Sequence, residues 1–427
     1  MHTVYREGVR GRKPDYDRMC TMFTFKLPYC EECGAVRVPH GLARLSHMLE
    51  TAVPRNGFFG KFFMWIASWV EKGLDAFLEP HRIIAFARFC TRIRIGSFDA
   101  QPPHNTNTRT LALYEGAEAT GVTLRTFIFL GLPLCYVAEK EIRGVCEKIV
   151  FDIIPRPKGF VSPSLPWMDD KGILKQKLIS AGLPCAEGGV AETFTEACAI
   201  FDRVGHAVIT KPHEGSRGRH TTLDIRDTVE LERGFRIAQQ IALAVVVEKY
   251  LKGTVHRVTL VGGEPVAIAR REYPHVFGDG MYTVEELVAI ENNAPYRDGV
   301  HFQKIDTKHR VVESLRKQNL TLSSVPTLNQ KVILNDKNSR LHGTLTEDVT
   351  DTVHPENMTL FRQLGTFLAD PIVGVDFMIS DMSRSWKEQP DAGVIECNSM
   401  PFIDVHHRVV SGRQINVAEY LWNEVFK

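Results

Sequence analysis

Two carboxylates and one amide near the C-terminus have the residue types and the spacing of a divalent-cation site. The segments IVGVDFMIS and AGVIECNSMP are typical of strands, and they contain Asp376, Glu396 and Asn398. Residues two apart on a strand project to the same face, so Glu396 and Asn398 point together. If the two strands pair, Asp376 reaches the same point, where hard oxygen ligands suit Mg²⁺. The alternative, two charges with only basic side chains as partners, is disfavoured because both carboxylates lie in apolar strands and burying charge is costly.

A second group of residues has the composition of a phosphate site. Lys211 ends a short apolar run at 207–210, and the loop HEGSRGRH that follows contains Gly215, Ser216 and Gly218. Glycine lets the backbone approach a ligand closely, so the N–H groups of such a loop can cover a phosphate chain. Many glycine-rich loops are only turns, and the preceding lysine is what favours a phosphate site here.

A third segment has the pattern of an adenine-binding hinge. Residues 243–247 form a continuous apolar run, which predicts a strand buried on both faces. The run is followed by Glu248, Lys249, Tyr250 and Leu251. A strand that ends in a polar hinge can offer backbone groups to an adenine edge while apolar neighbours enclose the ring.

These segments need a mixed α/β framework to position them. The chain divides into residues 1–104, of unknown role, residues 105–167, a small α/β unit, and residues 168–427, which contain the three motifs. In the second stretch, TRTLALYEGAEATG predicts a helix, RTFIFLG and EKIVFDII predict strands, and 137–146 predicts a helical segment between them. In the third, DDKGILKQKLIS predicts a helix, and Gly262-Gly263 predicts a hairpin turn.

Composition narrows the class of protein. The 427 residues contain 52 Lys+Arg and 51 Asp+Glu, a net charge of +1, which disfavours a nucleic-acid coat or a polybasic membrane binder without excluding a local basic cleft. The N-terminus has no apolar signal core, and the apolar stretch at 57–70 is too short to span a bilayer. That stretch has the pattern of a helix, packed either on the core or on a membrane surface or partner. Nine cysteines at irregular spacing favour a reducing, cytoplasmic location.

One cysteine pair near the N-terminus has the spacing of a zinc knuckle. Cys30 and Cys33 are three residues apart, and His40 and His47 follow them. A second CxxC is missing, so a structural zinc site and a metal-free pair both stay open.

The order of the motifs resembles the ATP-grasp superfamily of carboxylate–amine ligases. The resemblance lies in DK at 170–171, TKP at 210–212, the glycine-rich loop, VVVEKYL, GVDF and IECN. HRVTLVGGEPVAIARR, PHVFGDGMYTVEELV and DVTDTVHPEN make it more specific, toward the ATP-grasp domain of cyanophycin synthetases, over roughly 168–410. It implies two α+β lobes that clamp ATP over 168–427, preceded by the small α/β unit.

The resemblance also implies roles for individual residues. Its implied ATP contacts are Lys171, Lys211, Gly215, Ser216, Gly218, Glu248, Lys249, Tyr250 and Leu251. Its implied ligands for Mg²⁺, expected as two ions, are Asp376, Glu396 and Asn398. Its implied catalytic positions are Arg257, Arg270 and His275, with Arg270 preferred for the reacting carboxylate.

The implied reaction is ADP-forming ligation, in which the carboxylate of an amino acid or peptide becomes an acylphosphate and then an amide. Two departures limit the resemblance: Val255 stands where many relatives have an acid for the ribose, and no G-x-x-x-x-G-K-[ST] occurs. We therefore expect the Mur-ligase-like half of cyanophycin synthetases to be missing. The alternative is an ATP-binding regulatory or partner-dependent subunit without turnover of its own. Expected partners are small-molecule substrates and no nucleic acid, with a homo-oligomer left open.

Overall fold

The computed structural model describes residues 80–103, 106–205, 207–215, 218–307, 309–335, 338 and 342–427, together with residues 30, 32 and 40. Four features named above lie outside the described residues: Cys33, His47, the stretch at 57–70 and Ser216. Within the described ranges, no helix combines the length and the apolar character that crossing a bilayer requires.

The first sheet of the described chain is antiparallel and has four strands. Its elements are α1 (Pro80–Arg92), β1 (Gly96–Asp99), α2 (Thr108–Ala119), β2 (Thr123–Phe129), β3 (Leu132–Ile142) and β4 (Val145–Phe151), and the strands follow the order β1-β2-β3-β4. The helix expected at 137–146 is wrong, because these residues form the β3–β4 hairpin. Arg143 and Gly144 make its two-residue turn with φ of 51° and 78°. Two consecutive positive φ values match the tight turn that joins twisted antiparallel strands.

A middle lobe (residues 188–249) follows two helices, α3 (Leu165–Met168) and α4 (Lys171–Ser180). Its elements are β5 (Gly188–Ala191), α5 (Phe194–Val204), β6 (Val208–Pro212), β7 (Thr222–Ile225), α6 (Thr228–Ala238) and β8 (Val245–Lys249). The strands form an antiparallel sheet in the order β5-β8-β6-β7, and α5 and α6 close its core. The apolar run at 243–247 contributes to the central strand β8, whose Val245, Val246 and Val247 are all fully buried.

The C-terminal part of the described chain forms a third sheet, of five strands, and the elements around it. Its elements are β9 (Thr254–Val261), β10 (Glu264–Glu272), β11 (His275–Phe277), α7 (Val284–Asn292), α8 (His309–Lys317), β12 (Lys331–Ile333), β13 (Leu345–Asp348), α9 (Pro355–Leu368), β14 (Ile372–Ile379), β15 (Gly393–Asn398), α10 (Asp404–His407) and α11 (Val417–Val425). The large sheet has the antiparallel order β13-β10-β9-β14-β15, while β11 and β12 pair separately beside α7 and α8. The hairpin turn expected at Gly262-Gly263 is confirmed, with φ of 59° and 83°.

The first sheet and the large sheet share one hydrophobic core. The indole of Trp422, on α11, is fully buried, and its Nε1 donates to the Leu113 carbonyl at 2.9 Å. Gly116 on α2 permits this packing, because a Cβ at that position would lie 2.4 Å from the Cβ of Ala418. Residues on either side of the boundary expected at 167 are therefore packed together.

Candidate active site

A cleft of about 1310 Å³ lies between the middle lobe and the large sheet. The described residues that line it include eleven Lys or Arg against six Asp or Glu. This excess of positive charge contrasts with the balanced charge of the whole chain, and it creates a field that attracts a polyanion. A strongly polarised cleft thus lies within a nearly neutral protein.

The register of the large sheet decides which side chains face this cleft. Asp376 on β14 stands directly opposite Arg257 on β9 and Glu396 on β15. Directly opposite residues of antiparallel strands project to the same face, so these three side chains meet. The other face of the sheet packs on α9, through a core that includes Val258 and Phe377. The pairing of the strands that carry Asp376 and Glu396 is therefore as the sequence predicts.

Asp376 is buried between two arginines. Arg257 Nε lies 2.6 Å from its Oδ1, and Arg271 Nη1 lies 3.5 Å from its Oδ2. Burial alone would raise the pKa of Asp376, but the two guanidinium groups outweigh burial and hold this pKa below its ordinary value. The carboxylate is therefore ionised at neutral pH.

Gly374 provides the room for this arrangement. A Cβ at Gly374 would lie 2.7 Å from Arg257 Nη1 and 2.7 Å from the Cβ of Pro401. The glycine of the GVDF segment is thus required by the close passage of the Arg257 side chain across β14.

Glu396 is in the opposite electrostatic situation. Its burial and then the charge of Asp376 raise its pKa above the ordinary value, although Lys171, Lys211 and Arg257 act in the opposite direction. The nearby cations therefore do not outweigh burial and the charge of Asp376 at this carboxylate. Asn398 is two residues further along the same strand and also lines the cleft. Two carboxylates and an amide oxygen, with charge left to balance, fit the donor set that a hard cation such as Mg²⁺ takes.

Lys171 links the large sheet's cleft to the glycine-rich loop. Its Nζ donates to the carbonyl of His213 at 2.9 Å and to that of Gly215 at 3.0 Å. Burial lowers the pKa of Lys171. Asp170 caps the first turn of α4 through the N–H groups of residues 172 and 173, and its Oδ1 lies 3.1 Å from His213 Nε2. The DK pair thus fixes the start of the loop from both sides.

Glu248 lies between two lysines in the middle lobe. Lys211 Nζ is 2.6 Å from its Oε1, and Lys175 Nζ is 2.8 Å from its Oε2. Burial would raise the pKa of Glu248, but the two ammonium groups outweigh it and lower this pKa. With two cations for one anion, the cluster keeps positive charge at this wall of the cleft.

An apolar slot adjoins this cluster. It is formed by side chains from β9, β14 and β15, from the hinge and from the segment before β5: Val255, Met378, Ile395, Leu251 and Ala186. The hinge backbone is pinned, because the N–H of Lys249 donates to the Glu187 carbonyl at 2.7 Å and that of Tyr250 to the Ala207 carbonyl at 2.8 Å. A slot of apolar side chains beside a rigid backbone is the usual setting for a planar heterocycle.

Comparison with known proteins shows which sequences and structures this chain is similar to. No family model matches the sequence. The chain is 32% identical over 261 residues to the cyanophycin synthetase of Nostoc sp. (strain PCC 7120), which covers 60% of this chain and 29% of that protein. It is 31% identical over 289 residues to the cyanophycin synthetase of Crocosphaera subtropica, covering 66% of this chain and 33% of that protein. The crystal structure of a bifunctional glutathione synthetase from Pasteurella multocida matches it with a TM-score of 0.56 and 23% identity, over 75% of this chain and 43% of that one.

The chain has the ATP-grasp fold. Its sequence is homologous to that of cyanophycin synthetases, as the order of its motifs predicts. The match covers only about a third of those relatives' length. The activity of the relatives as whole proteins is therefore not transferred with the fold.

The ATP-grasp cleft brings together most of the residues that the sequence singles out. Those that line it are Lys171, Lys211, Gly215, Gly218, Glu248, Lys249, Tyr250, Leu251, Arg257, Asp376, Glu396 and Asn398. Ser216 lies outside the described residues. Cys397, between two of the proposed ligands, turns to the opposite face and is buried in the core, where burial raises the pKa of its thiol.

Two predicted catalytic residues are not brought to the cleft. Arg270 lies on the opposite face of β10, where it pairs with Glu347 and with Glu272 at 3.1 Å. His275 lies on β11, and its Nδ1 is 2.7 Å from the Tyr273 carbonyl. Neither is among the described residues that line the cleft.

A β-bulge explains why Arg271 takes the place expected for Arg270. After the Gly262-Gly263 turn, Val261 pairs with Glu264, a register that would place Arg270 opposite Val255, on the cleft face. The bulge between Pro265 and Ala267 adds one residue, so Arg271 pairs with Val255 instead. A shift of one residue moves every later side chain to the other face of a strand.

Sequence reasoning missed basic residues of this site, among them Arg271 and Arg109, which line the cleft, and Lys175, which lies behind Glu248. Arg271 contacts Asp376, Lys175 contacts Glu248, and Arg109 donates from Nη1 to the Met400 carbonyl at 2.7 Å while its guanidinium lies 4.9 Å from the centre of the Phe402 ring. Lys175 carries a detectable signal, since it lies one helical turn after Lys171 and therefore on the same side of α4. Arg109 carries none, because it comes from α2, far from the motifs in the sequence.

Proposed function

We propose that this chain is an ATP-dependent carboxylate–amine ligase that forms an amide or peptide bond on an amino acid or peptide and releases ADP and phosphate. The observation that carries the proposal is the convergence of Asp376, Glu396 and Asn398 with Lys171 and Lys211 in one cleft. Opposed clusters of acids and lysines, beside an apolar slot, are what a metal-bound nucleoside triphosphate requires.

In this proposal ATP lies between the middle lobe and the large sheet. The adenine occupies the apolar slot next to residues 248–251, and the phosphates extend along Lys211 and Lys171 toward β14 and β15. Gly215 and Gly218 let the loop between β6 and β7 cover the phosphates. Val255 lines the slot where an acid would bind the ribose hydroxyls, so ribose recognition rests on other groups.

Asp376, Glu396 and Asn398 would hold Mg²⁺, which we propose as two ions. When bound, the metal neutralises charge that develops on the transferring phosphate. Arg257 holds one oxygen of Asp376 and keeps the carboxylate aimed at the cleft. Arg271 is within reach of the same carboxylate, and it projects into the cleft where the acyl group would lie.

The chemistry takes two displacements. A carboxylate oxygen of the first substrate attacks the γ-phosphorus, the bond from this phosphorus to the bridging oxygen breaks, and ADP leaves. The amine nitrogen of the second substrate then attacks the acyl carbon, loses a proton, and expels inorganic phosphate. Arg257 and Arg271 would stabilise the charge on the acylphosphate, since preorganised donors in a water-poor site act most strongly where charge develops.

The decisive experiment is a screen for ADP and phosphate release by the purified chain with Mg-ATP across amino acids and short peptides. Mass spectrometry of the reaction then identifies the joined product. We expect substrate-dependent ADP release and a product lighter by one water than the sum of its two substrates.

Two outcomes would change the proposal. ADP release without a joined product would indicate an ATPase or kinase activity in place of ligation. ATP binding without any ADP release across the panel would favour the regulatory or partner-dependent subunit.

We further propose a cytoplasmic location, which fractionation of expressing cells tests directly.

A further inference from the structure

Three side chains outside the proposed catalytic groups gather beside the cleft. The ligand atoms of Cys30, His40 and His220 all lie within 4.8 Å of one another. Cys30 Sγ is 3.7 Å from His220 Nε2, and the His40 and His220 rings meet edge to face with their centres 4.9 Å apart. Cys30 and His220 are 190 residues apart in the sequence, so the fold brings them together.

The distances fit a tetrahedral zinc ion. With a Zn–S bond of about 2.3 Å and a Zn–N bond of about 2.0–2.1 Å, tetrahedral ligands stand about 3.6 Å apart. The observed separation of Cys30 Sγ and His220 Nε2 is 3.7 Å. A thiolate and two imidazoles form a ligand set that binds zinc in preference to harder cations such as Mg²⁺, which take oxygen ligands.

His220 is oriented as a metal ligand. Its side chain is fully buried, and its Nδ1 lies 3.0 Å from the carbonyl of Ile237. A carbonyl only accepts, so Nδ1 carries the proton and Nε2 presents its lone pair toward Cys30. A hydrogen bond from the remote ring nitrogen to a carbonyl is the arrangement that fixes metal-bound histidines.

The position of the cluster gives the site a structural consequence. His220 ends the loop between β6 and β7 that would cover the phosphates. Glu32, two residues after Cys30, pairs with Arg310 on α8 at 2.9 Å, and both Glu32 and Arg310 line the cleft. Cys30 and His40 thus contact the end of the covering loop, while Glu32 contacts α8 at the opposite wall.

We propose that Cys30, His40 and His220 bind a zinc ion that fastens residues 30 and 40 to the end of the phosphate-covering loop. The cysteine must lose its proton to bind, so affinity for zinc falls at low pH. The competing arrangement is a metal-free hydrogen bond between the Cys30 thiol and the His220 imidazole.

The test is the zinc content of the full-length chain, purified without chelator and measured by elemental mass spectrometry. We expect about one zinc per chain, removable by a strong chelator and restored by added ZnCl₂. Cobalt substitution should give a thiolate-to-cobalt absorption band. A wild-type protein that holds no zinc after incubation with ZnCl₂, and gives no such band with cobalt, would overturn the proposal.

Variants assign the ligands. Cys30→Ser and His220→Asn should reduce zinc to below about 0.2 per chain, and Cys30→Ser should also remove the cobalt band. The matched controls are Cys146→Ser, at an exposed cysteine, and His301→Asn, at a histidine paired with Asp298. Both controls should keep wild-type zinc. Equal zinc in Cys30→Ser and wild type would contradict the assignment, and because the metal content of the wild type is measured independently, a variant that fails to fold does not remove the test.

The zinc site and the proposed ligase activity can fail separately. Zinc content is measured without ATP or substrate. A zinc-free chain that still releases ADP would overturn only the zinc site, whereas a zinc-loaded chain that never releases ADP would overturn only the proposed function.

Discussion

Glu248 and Glu396 are carboxylates on two sheets that face the same cleft, yet the charged group that acts most strongly on each has the opposite sign: Lys211 on Glu248 and Asp376 on Glu396. Glu248 lies between Lys175 and Lys211, and its pKa is lowered. Glu396 faces Asp376 across two paired strands, and its pKa is raised. Burial acts against the ionised form of both, so the difference comes from the partners. Two lysines of the chain more than neutralise Glu248, whereas at Glu396 the nearby cations do not outweigh burial and the charge of Asp376, which leaves this carboxylate for a cation.

The largest expected effect is the loss of activity in Glu396→Gln. Removing this carboxylate should lower ADP release by about 10³-fold, because it removes a proposed metal ligand that acts in the transition state. The same change ends the repulsion with Asp376, so the metal-free variant should melt at a temperature at or above that of the wild type. An ADP assay and a thermal scan in chelator measure the two effects.

The control for Glu396→Gln is Glu264→Gln, at an exposed residue on β10 that pairs with Arg362. It should keep wild-type activity and stability. Retained activity in Glu396→Gln would show that Glu396 is not a ligand of the cation. A large drop in the stability of the metal-free variant would show that Glu396 is a structural residue like Glu248.

Lys175→Met tests the other side of the comparison. The change leaves Glu248 with one lysine in place of two, and breaking a buried pair costs about 3 kcal/mol. Chemical denaturation should show this loss in the free energy of unfolding. Lys177→Met, at an exposed lysine of the same helix whose Nζ lies 4.9 Å from the centre of the Trp167 ring, is the matched control and should change stability by less than about 1 kcal/mol. If both variants unfold alike, the cluster does not stabilise the lobe.

Arg271→Met and Arg270→Met form a pair of neighbouring changes on opposite faces of β10. Arg271 contacts Asp376, so its loss should lower the rate of ADP release by about 10–100-fold. Arg270 pairs with Glu347 and Glu272 on the other face, so its loss should lower the rate by less than about threefold. The reverse order would mean that the bulge on β10 does not decide which arginine serves the cleft.

The pH dependence of stability is the smallest effect. A lowered pKa means that Glu248 contributes stability above the ordinary glutamate pKa, and that this contribution is lost as the pH falls through the pKa of the folded state. Lys175→Met raises this folded-state pKa, so the gap in unfolding free energy between wild type and variant should be constant above about pH 5 and shrink below it, by about 1.4 kcal/mol for each unit of pKa. A gap that is equal at pH 3 and pH 7 would contradict the ion pair.

Much of the site follows from local patterns in the sequence. The strand of Asp376 and the strand of Glu396 and Asn398 are apolar runs typical of strands, and because side chains alternate between the faces of a strand, their common face is predictable once the two strands pair. The helix at 171–180 and the Gly262-Gly263 turn are local signals as well. The hairpin at 143–144 carried a local signal too, but a helical interpretation of 137–146 overlooked the Arg-Gly turn.

The sequence by itself determined which residue types could form the site, because strand periodicity and turn chemistry depend on neighbours along the chain. Only the tertiary structure decided which residues meet. A bulge of one residue put Arg271 in place of Arg270, a neighbouring helix brought Lys175 to Glu248, and the fold placed Cys30 beside His220. Each of these contacts depends on register or on the meeting of distant segments. Once a charged group is buried, the partners that it meets decide whether its pKa rises or falls.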